Sequence, residues 1–165
     1  MKTGRTCNVA MISSYRLAHT DSLMSAFKPR GAPARWNSDG VVMVYTSAHL
    51  ALAALEILNY WEEYSSLNGY FAYASHFDES LVQTATLERE DALDKSKARA
   101  YGDHWIASRS SVVLRVPSVT IQTGMNYLLN SNHPDFYQAV KLEALGSFSF
   151  DARVTALLTQ AKRTS

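Results

Sequence analysis

VVMVYTSAHLALAALEIL, residues 41 to 58, contains the change of periodicity on which the fold class turns. Its first six residues, 41 to 46, are β-branched and apolar with Tyr45 near the end, a strand composition. From about Ala48 the period becomes helical: Leu52, Leu55 and Leu58, with Ala51, Ala54 and Trp61, recur on one side, and Ser47 stands where an N-cap belongs. The segment 41 to 64 therefore reads as a strand, a tight turn and an amphipathic helix. Upstream, ISSYRLA at 12 to 18 is predicted as a short strand, followed by a long loop through Gly40 that is rich in proline, glycine and basic residues. Downstream, GYFAYASHF at 69 to 77 alternates as a strand does, and Glu88 to Tyr101 is a charged stretch predicted as a solvated helix with Asp91 and Lys95 as a pair. SVVLRV at 111 to 116 is a strong strand that Pro117 interrupts, with VTIQT resuming the sheet as an edge strand. Pro134 opens a short helix around DFYQAVKLEA, and SFSF at 147 to 150 is a last short strand. Strands mixed with helices in no strict alternation indicate an α+β domain.

The chain has 165 residues, 47% of them hydrophobic and 19% charged, which fits one globular domain and excludes a disordered tail or a collagen-like repeat. Sixteen Lys+Arg against fifteen Asp+Glu leave a net charge of +1, so no bulk attraction draws the chain to nucleic acid or to an acidic membrane. That balance is an average over unlike segments. Residues 1 to 40 hold six basic against two acidic side chains, residues 41 to 94 one against nine, and residues 95 to 165 nine against four, giving +4, −8 and +5. One cysteine, Cys7, cannot form an internal disulfide. The N-terminus has no apolar run long enough for a secretory signal and no segment approaches the length of a membrane span, so a cytoplasmic location is expected.

Several chemistries drop out. The five histidines, His19, His49, His76, His104 and His133, lack zinc-site spacing, so no metal is expected. Neither common glycine-rich phosphate loop is present, nor a GxSxG elbow, and Cys7 lies in an N-terminal segment unsuited to a nucleophile. What remains is a set of polar residues, each open to two readings. Arg16, beside Tyr15 in a strand, and Arg35, before Trp36 and Asn37, are either solvated surface or a clamp for a diphosphate, which suits the guanidinium fork. Glu56 lies within or beside the apolar stripe of its helix: it either faces solvent or forms the wall of a cleft and stabilises positive charge. Tyr45 is a core aromatic or a ring on which a flat ligand stacks. Ser118, after Pro117, is a turn residue by default, and Asn126 and Asn130 are turn residues or site groups.

The order of these residues resembles the RES domain, the toxin half of RES–Xre toxin–antitoxin systems. The resemblance rests on ARWNSDGVVMVYTSAHLALAALEIL, then HWIASRSSVVLRVPSV, MNYLLNSNHPDF and SFSFDARV, and spans Tyr15 to Val154. PARWN stands where GGRWN is commoner, and residues 65 to 104 match poorly. The resemblance implies a single domain with its core at about 12–154, flanked by 1–11 and 155–165. Its implied fold is that of the ADP-ribosyltransferases, with central mixed or antiparallel strands flanked by helices. It also implies that NAD is the substrate, with inorganic phosphate or water as acceptor and no metal. The family-defining Arg, Glu and Ser then fall on Arg35, Glu56 and Ser118. Arg16 and Arg35 would contact the NAD phosphates and adjoining ribose, Tyr45 would wall in nicotinamide, Glu56 would hold the nicotinamide ribose, and the Ser118 hydroxyl would orient the ribose or the glutamate. Tyr15 and Asn126 complete the expected NAD site. The implied partner is an Xre-type helix-turn-helix antitoxin that binds the DNA itself, with room for a toxin homodimer in the complex.

Three functions follow as expectations. The chain is an NAD phosphorylase or NAD glycohydrolase that arrests growth; or it is a mono-ADP-ribosyltransferase acting on a cellular protein; or it is a non-catalytic binding module. Retention of Arg35, Glu56 and Ser118 speaks against the third.

Overall fold

The computed structural model describes residues 10–60 and 67–163, so Cys7 and Trp61 lie outside the described residues. Strands β1 (Met11–Ala18), β2 (Val44–Ser47), β3 (Tyr70–Asp78), β4 (Val82–Thr84), β5 (Val113–Pro117), β6 (Met125–Leu129) and β7 (Lys141–Phe148) form a mixed seven-stranded sheet in the order β4-β5-β6-β2-β1-β3-β7. Neighbours are antiparallel except β4 and β5. Helices α1 (Leu23–Ala26), α2 (Leu50–Asn59), α3 (Arg89–Leu93), α4 (Lys95–Ser108), α5 (Phe136–Ala139) and α6 (Ala152–Arg163) complete the α+β domain.

The side-chain period of two divides the core. Val113 and Leu129 pack with Phe77 and Phe136 in one cluster, while their neighbours Leu114 and Leu128 pack with Trp36 and Trp105 in another. Helix α2 lays Leu50, Ala54 and Ile57 against Leu17, Tyr70 and Ala72. Strand β1 pairs with β3 over eight residues but shares with β2 a single registered pair, Tyr15 with Ser47. Past that pair the ladder has ended, and Arg16 Nη1 donates to the Tyr45 carbonyl at 3.0 Å. The sheet parts here.

Several local expectations are corrected. Residues 41 and 42 precede the sheet, and Met43 only bridges Arg30. Ser47 ends β2 instead of capping α2, whose N-cap is His49, because Ser47 is still held in the sheet by its pairing with Tyr15 and Asn126. The predicted helix from Glu88 to Tyr101 is two helices. Asp94 is extended, and its carboxylate accepts from Ser96 N and Lys97 N, which ends α3 and starts α4. Asp91 accordingly pairs with Lys97 at 2.5 Å and not with Lys95. VTIQT is no edge strand: Ser118 N bonds Gly124 O at 2.9 Å, which folds it into the turn between β5 and β6. The edges are β4 and β7. MNYLL, whose Asn126 was open to a turn or a site reading, is the interior strand β6. The helix after Pro134 stops at Ala139 because KLEA belongs to β7, which also absorbs SFSF up to Phe148. The long loop contains α1, capped by the Ser22 side chain, and α6 extends the chain past the last expected strand.

The RWN segment is held against α4. Asn37, 1% exposed, donates through Nδ2 to Ala32 O and Val41 O, both at 2.9 Å. Arg99 Nε donates to Ala34 O at 2.7 Å, and Ser38 N donates to Asp103 Oδ1 at 2.9 Å. Between these ties, Gly102 lets the two backbones touch: a Cβ there would lie 1.9 Å from Trp36 O. Alanine is the better helix former by about 1 kcal/mol, but a backbone carbonyl cannot rotate away, so the clash prevails. Gly102→Ala is expected to cost about 1–3 kcal/mol of stability net, read as a lowered urea midpoint at constant slope. An unchanged midpoint would mean that this contact does not constrain the fold.

Candidate active site

A cavity of about 540 Å³ opens where the sheet parts, between β1, β2, α2, the 28–37 loop and the start of α4. Its wall holds six cationic side chains, Arg16, Lys28, Arg30, Arg35, Lys95 and Arg99, and among the described lining residues one carboxylate, Glu56. Tyr15, Tyr45 and Asn126 also line it. The sites expected from sequence therefore gather in one place, with two exceptions. Ser118 is fully buried behind Glu56, and Asn130 is buried in a turn, accepting from Asn132 N at 3.2 Å.

Glu56 projects from α2 toward the β5–β6 turn. Its Oε1 accepts from Ser118 Oγ at 2.8 Å and Asn126 Nδ2 at 2.9 Å, and its Oε2 accepts from Thr120 Oγ1 at 2.7 Å. Three donors on a half-buried carboxylate replace the water it loses. Ser118 Oγ is itself fixed, accepting from Thr120 N at 3.1 Å and Ile121 N at 3.2 Å. Asn126 Oδ1 is buried without a hydrogen-bond partner, a free acceptor beside the glutamate.

Tyr45 joins the sheet to the RWN segment. Its hydroxyl donates to Asn37 Oδ1 at 2.7 Å and accepts from Trp36 N at 3.0 Å. Burial pushes the phenol well above its ordinary value of 10.0, more than the Trp36 N–H bond lowers it. The hydroxyl is thus committed to the scaffold, and only the ring is left to face a ligand. Arg35 Nη1 donates to Ala92 O at 3.1 Å and Leu93 O at 3.2 Å, while its buried Nε has no hydrogen-bond partner.

Sequence reasoning passed over Lys28, Arg30, Lys95, Arg99 and Thr120. Lys95 and Arg99 carried a usable signal, since residues four apart share one face of a helix. Thr120 was hidden by reading its segment as a strand.

Residues 13–151 match the family model described as the RES domain. The chain belongs to the RES domain family. It is 30% identical over 148 residues to "Toxin Res" of Yersinia enterocolitica, covering 85% of this chain and 97% of that one. It is 29% identical over 128 residues to the "Prs ADP-ribosylating toxin" of a Sphingobium strain, covering 73% and 79%. The toxin–antitoxin complex MbcT–MbcA of M. tuberculosis contains a similar fold, with a TM-score of 0.59, 16% identity and 86% of each chain covered. In this RES domain the phenol of Tyr45 anchors the RWN segment, so Tyr45→Phe strands the Trp36 N–H and Asn37 Oδ1 and should cost about 1–3 kcal/mol at neutral pH. Because the phenol of the folded state ionises above 10.0, the unfolded chain ionises first as pH rises. The wild type should therefore lose, above pH 10, stability that Tyr45→Phe does not lose, a convergence readable in urea melts at pH 8 and above pH 10.

Proposed function

We propose that this chain is the toxin of a toxin–antitoxin pair and that it consumes NAD by breaking the bond between nicotinamide and ribose. The observation that carries this reading is the fixed carboxylate of Glu56 on the wall of a cavity whose other charged lining residues, among those described, are all cations. NAD has complementary charge: an anionic diphosphate, and a cationic nicotinamide ring whose departure leaves positive charge on the ribose.

Arg16 and Arg35 bind the diphosphate, Arg35 offering its unpartnered Nε, and so position the ribose. The Tyr45 ring, with Tyr15, walls in the nicotinamide. Glu56 lies against the ribose, and Asn126 Oδ1 accepts from a ribose hydroxyl. When the C–N bond breaks, its electron pair goes to the nicotinamide nitrogen and neutralises the ring, so the leaving group needs no proton. The ribose becomes oxocarbenium-like, and the Glu56 carboxylate stabilises charge that exists chiefly in that transition state. An oxygen of phosphate or water then bonds to the ribose carbon, giving ADP-ribose 1″-phosphate or, with loss of a proton to solvent, ADP-ribose. Ser118 acts by holding Glu56.

The catalytic domain in this reading is a single RES domain with its core at 12–154. The toxin pairs with an antitoxin, a reading supported by the complexed state of the similar MbcT fold; that antitoxin is of the Xre helix-turn-helix type and covers the cleft, and the toxin works in the cytoplasm, where its substrate is, and pairs with a second copy inside the complex. A second reading, transfer of ADP-ribose to a protein side chain, is favoured by the name of the Sphingobium relative.

Purified protein incubated with NAD should release nicotinamide. Acceleration by phosphate identifies phosphorolysis, indifference to phosphate identifies hydrolysis, and release only with an added protein acceptor identifies transfer. No release under any of these conditions sinks the proposal. Glu56→Ala should remain folded by circular dichroism and lose about 10²–10³-fold in kcat.

A further inference from the structure

Ser118 and Asn126 both donate to the same oxygen of Glu56, Oε1. The last torsion of a glutamate is broad, so the plane of the carboxylate is held most firmly when both of its oxygens have donors. Thr120 Oγ1 donates to the other oxygen, Oε2, at 2.7 Å. Both hydroxyls belong to the β5–β6 turn at 118–124, which closes on itself through Ser118 N to Gly124 O at 2.9 Å and Gly124 N to Ile121 O at 3.0 Å. The aim of Glu56 is therefore no better defined than the position of this turn.

The backbone of this turn is also held from outside. Arg89, the first residue of α3, donates through Nη1 to Ser118 O and through Nη2 to Val119 O at 3.3 Å. Two successive carbonyls receive the two arms of one planar guanidinium, which a lysine ammonium cannot reproduce. The far end of the same short helix offers Ala92 O and Leu93 O to Arg35. Helix α3 thus touches the turn behind Glu56 at one end and the cavity arginine at the other.

We infer that Thr120 and Arg89 are positioning residues for Glu56: Thr120 sets the plane of the carboxylate, and Arg89 sets the turn that carries its two hydroxyl donors. The inference rests on the proposed function to the extent that Glu56 is the group facing the reacting ribose. A carboxylate rotated or displaced by a fraction of an ångström still binds NAD through the arginines but no longer faces the developing charge, so the defect belongs in kcat and not in KM.

Four variants test it: Thr120→Val, which keeps the shape and removes the hydroxyl; Thr120→Ser, which restores it; Arg89→Gln; and Arg89→Lys. Nicotinamide release from NAD, thermal melting and crystal structures of the variants are compared with wild type. Thr120→Val and Arg89→Gln should lower kcat by about 10–100-fold with KM changed by less than about 3-fold, while Thr120→Ser recovers most of kcat and Arg89→Lys does not. In the crystal, Thr120→Val should show a turned Glu56 carboxylate, and Arg89→Gln a displaced 118–121 backbone. Wild-type kcat in Thr120→Val, or equal losses in Thr120→Val and Thr120→Ser, overturns the inference. If the wild type itself releases no nicotinamide, the proposed function has failed on its own account. The crystal comparison then still decides the positioning, and an unmoved Glu56 in both variants overturns it.

Discussion

A carboxylate drawn partly out of water must fill its lone pairs from the protein. Glu56 meets this demand with Ser118, Thr120 and Asn126, and much of the architecture serves to deliver those three groups. Asn126 comes from an interior strand, while Ser118 and Thr120 come from the turn that joins that strand to its neighbour. The β5–β6 hairpin is therefore both a structural pair in the middle of the sheet and the support for one side chain across from it on α2. Pro117 helps at the changeover. It is the last residue of β5, and its missing N–H stands where the ladder stops needing a donor.

The opposite wall of the cavity depends on the early end of the β1–β2 ladder. An unbroken ladder would have closed the sheet, but after Tyr15 and Ser47 the strands separate, and the guanidinium of Arg16 takes up the Tyr45 carbonyl. Buried hydroxyls steady the part that remains joined. Thr46 donates to Ser14 at 2.7 Å, and Ser14 shares a hydrogen with Ser75 at 2.6 Å, crossing β2, β1 and β3 at one level. A polar ladder of this kind tolerates no one-residue slip, since a slip would bury the hydroxyls without partners.

The strands at 69–77 and 111–116 were legible because they are local runs of aromatic and of β-branched residues, and the helix after β2 because its apolar residues keep a strict spacing. Arg16, Arg35 and Glu56 stood out in the sequence because charge there interrupts otherwise apolar or aromatic surroundings, whereas Tyr45 and Asn126 stayed open until the family resemblance gave them a place. What stayed hidden depends on contacts distant in sequence. Whether VTIQT is a strand or a turn is decided by the Ser118 hydroxyl bonding N–H groups two and three residues ahead, an alternative that composition does not report. The break between α3 and α4 hangs on one cap at Asp94. That Lys95 faces a cavity while Lys97 pairs with Asp91 follows from how α4 docks on Trp36, and neither residue advertises it.

The near-neutral net charge also takes on a different meaning once the chain is folded. Four of the cavity cations, Arg16, Lys28, Arg30 and Arg35, come from the basic N-terminal segment, and Lys95 and Arg99 come from the start of the basic C-terminal one. They converge only when α4 seats its glycine on the Trp36 carbonyl. Like charges so gathered repel one another, so the closed packing carries an electrostatic strain that a bound anion relieves. By linkage, any anion that prefers the assembled cavity must stabilise the docking of α4 by the same free energy with which docking favours the anion. The cavity and the helix that closes it are in this sense one cooperative unit, and ligand occupancy becomes part of the thermodynamics of folding.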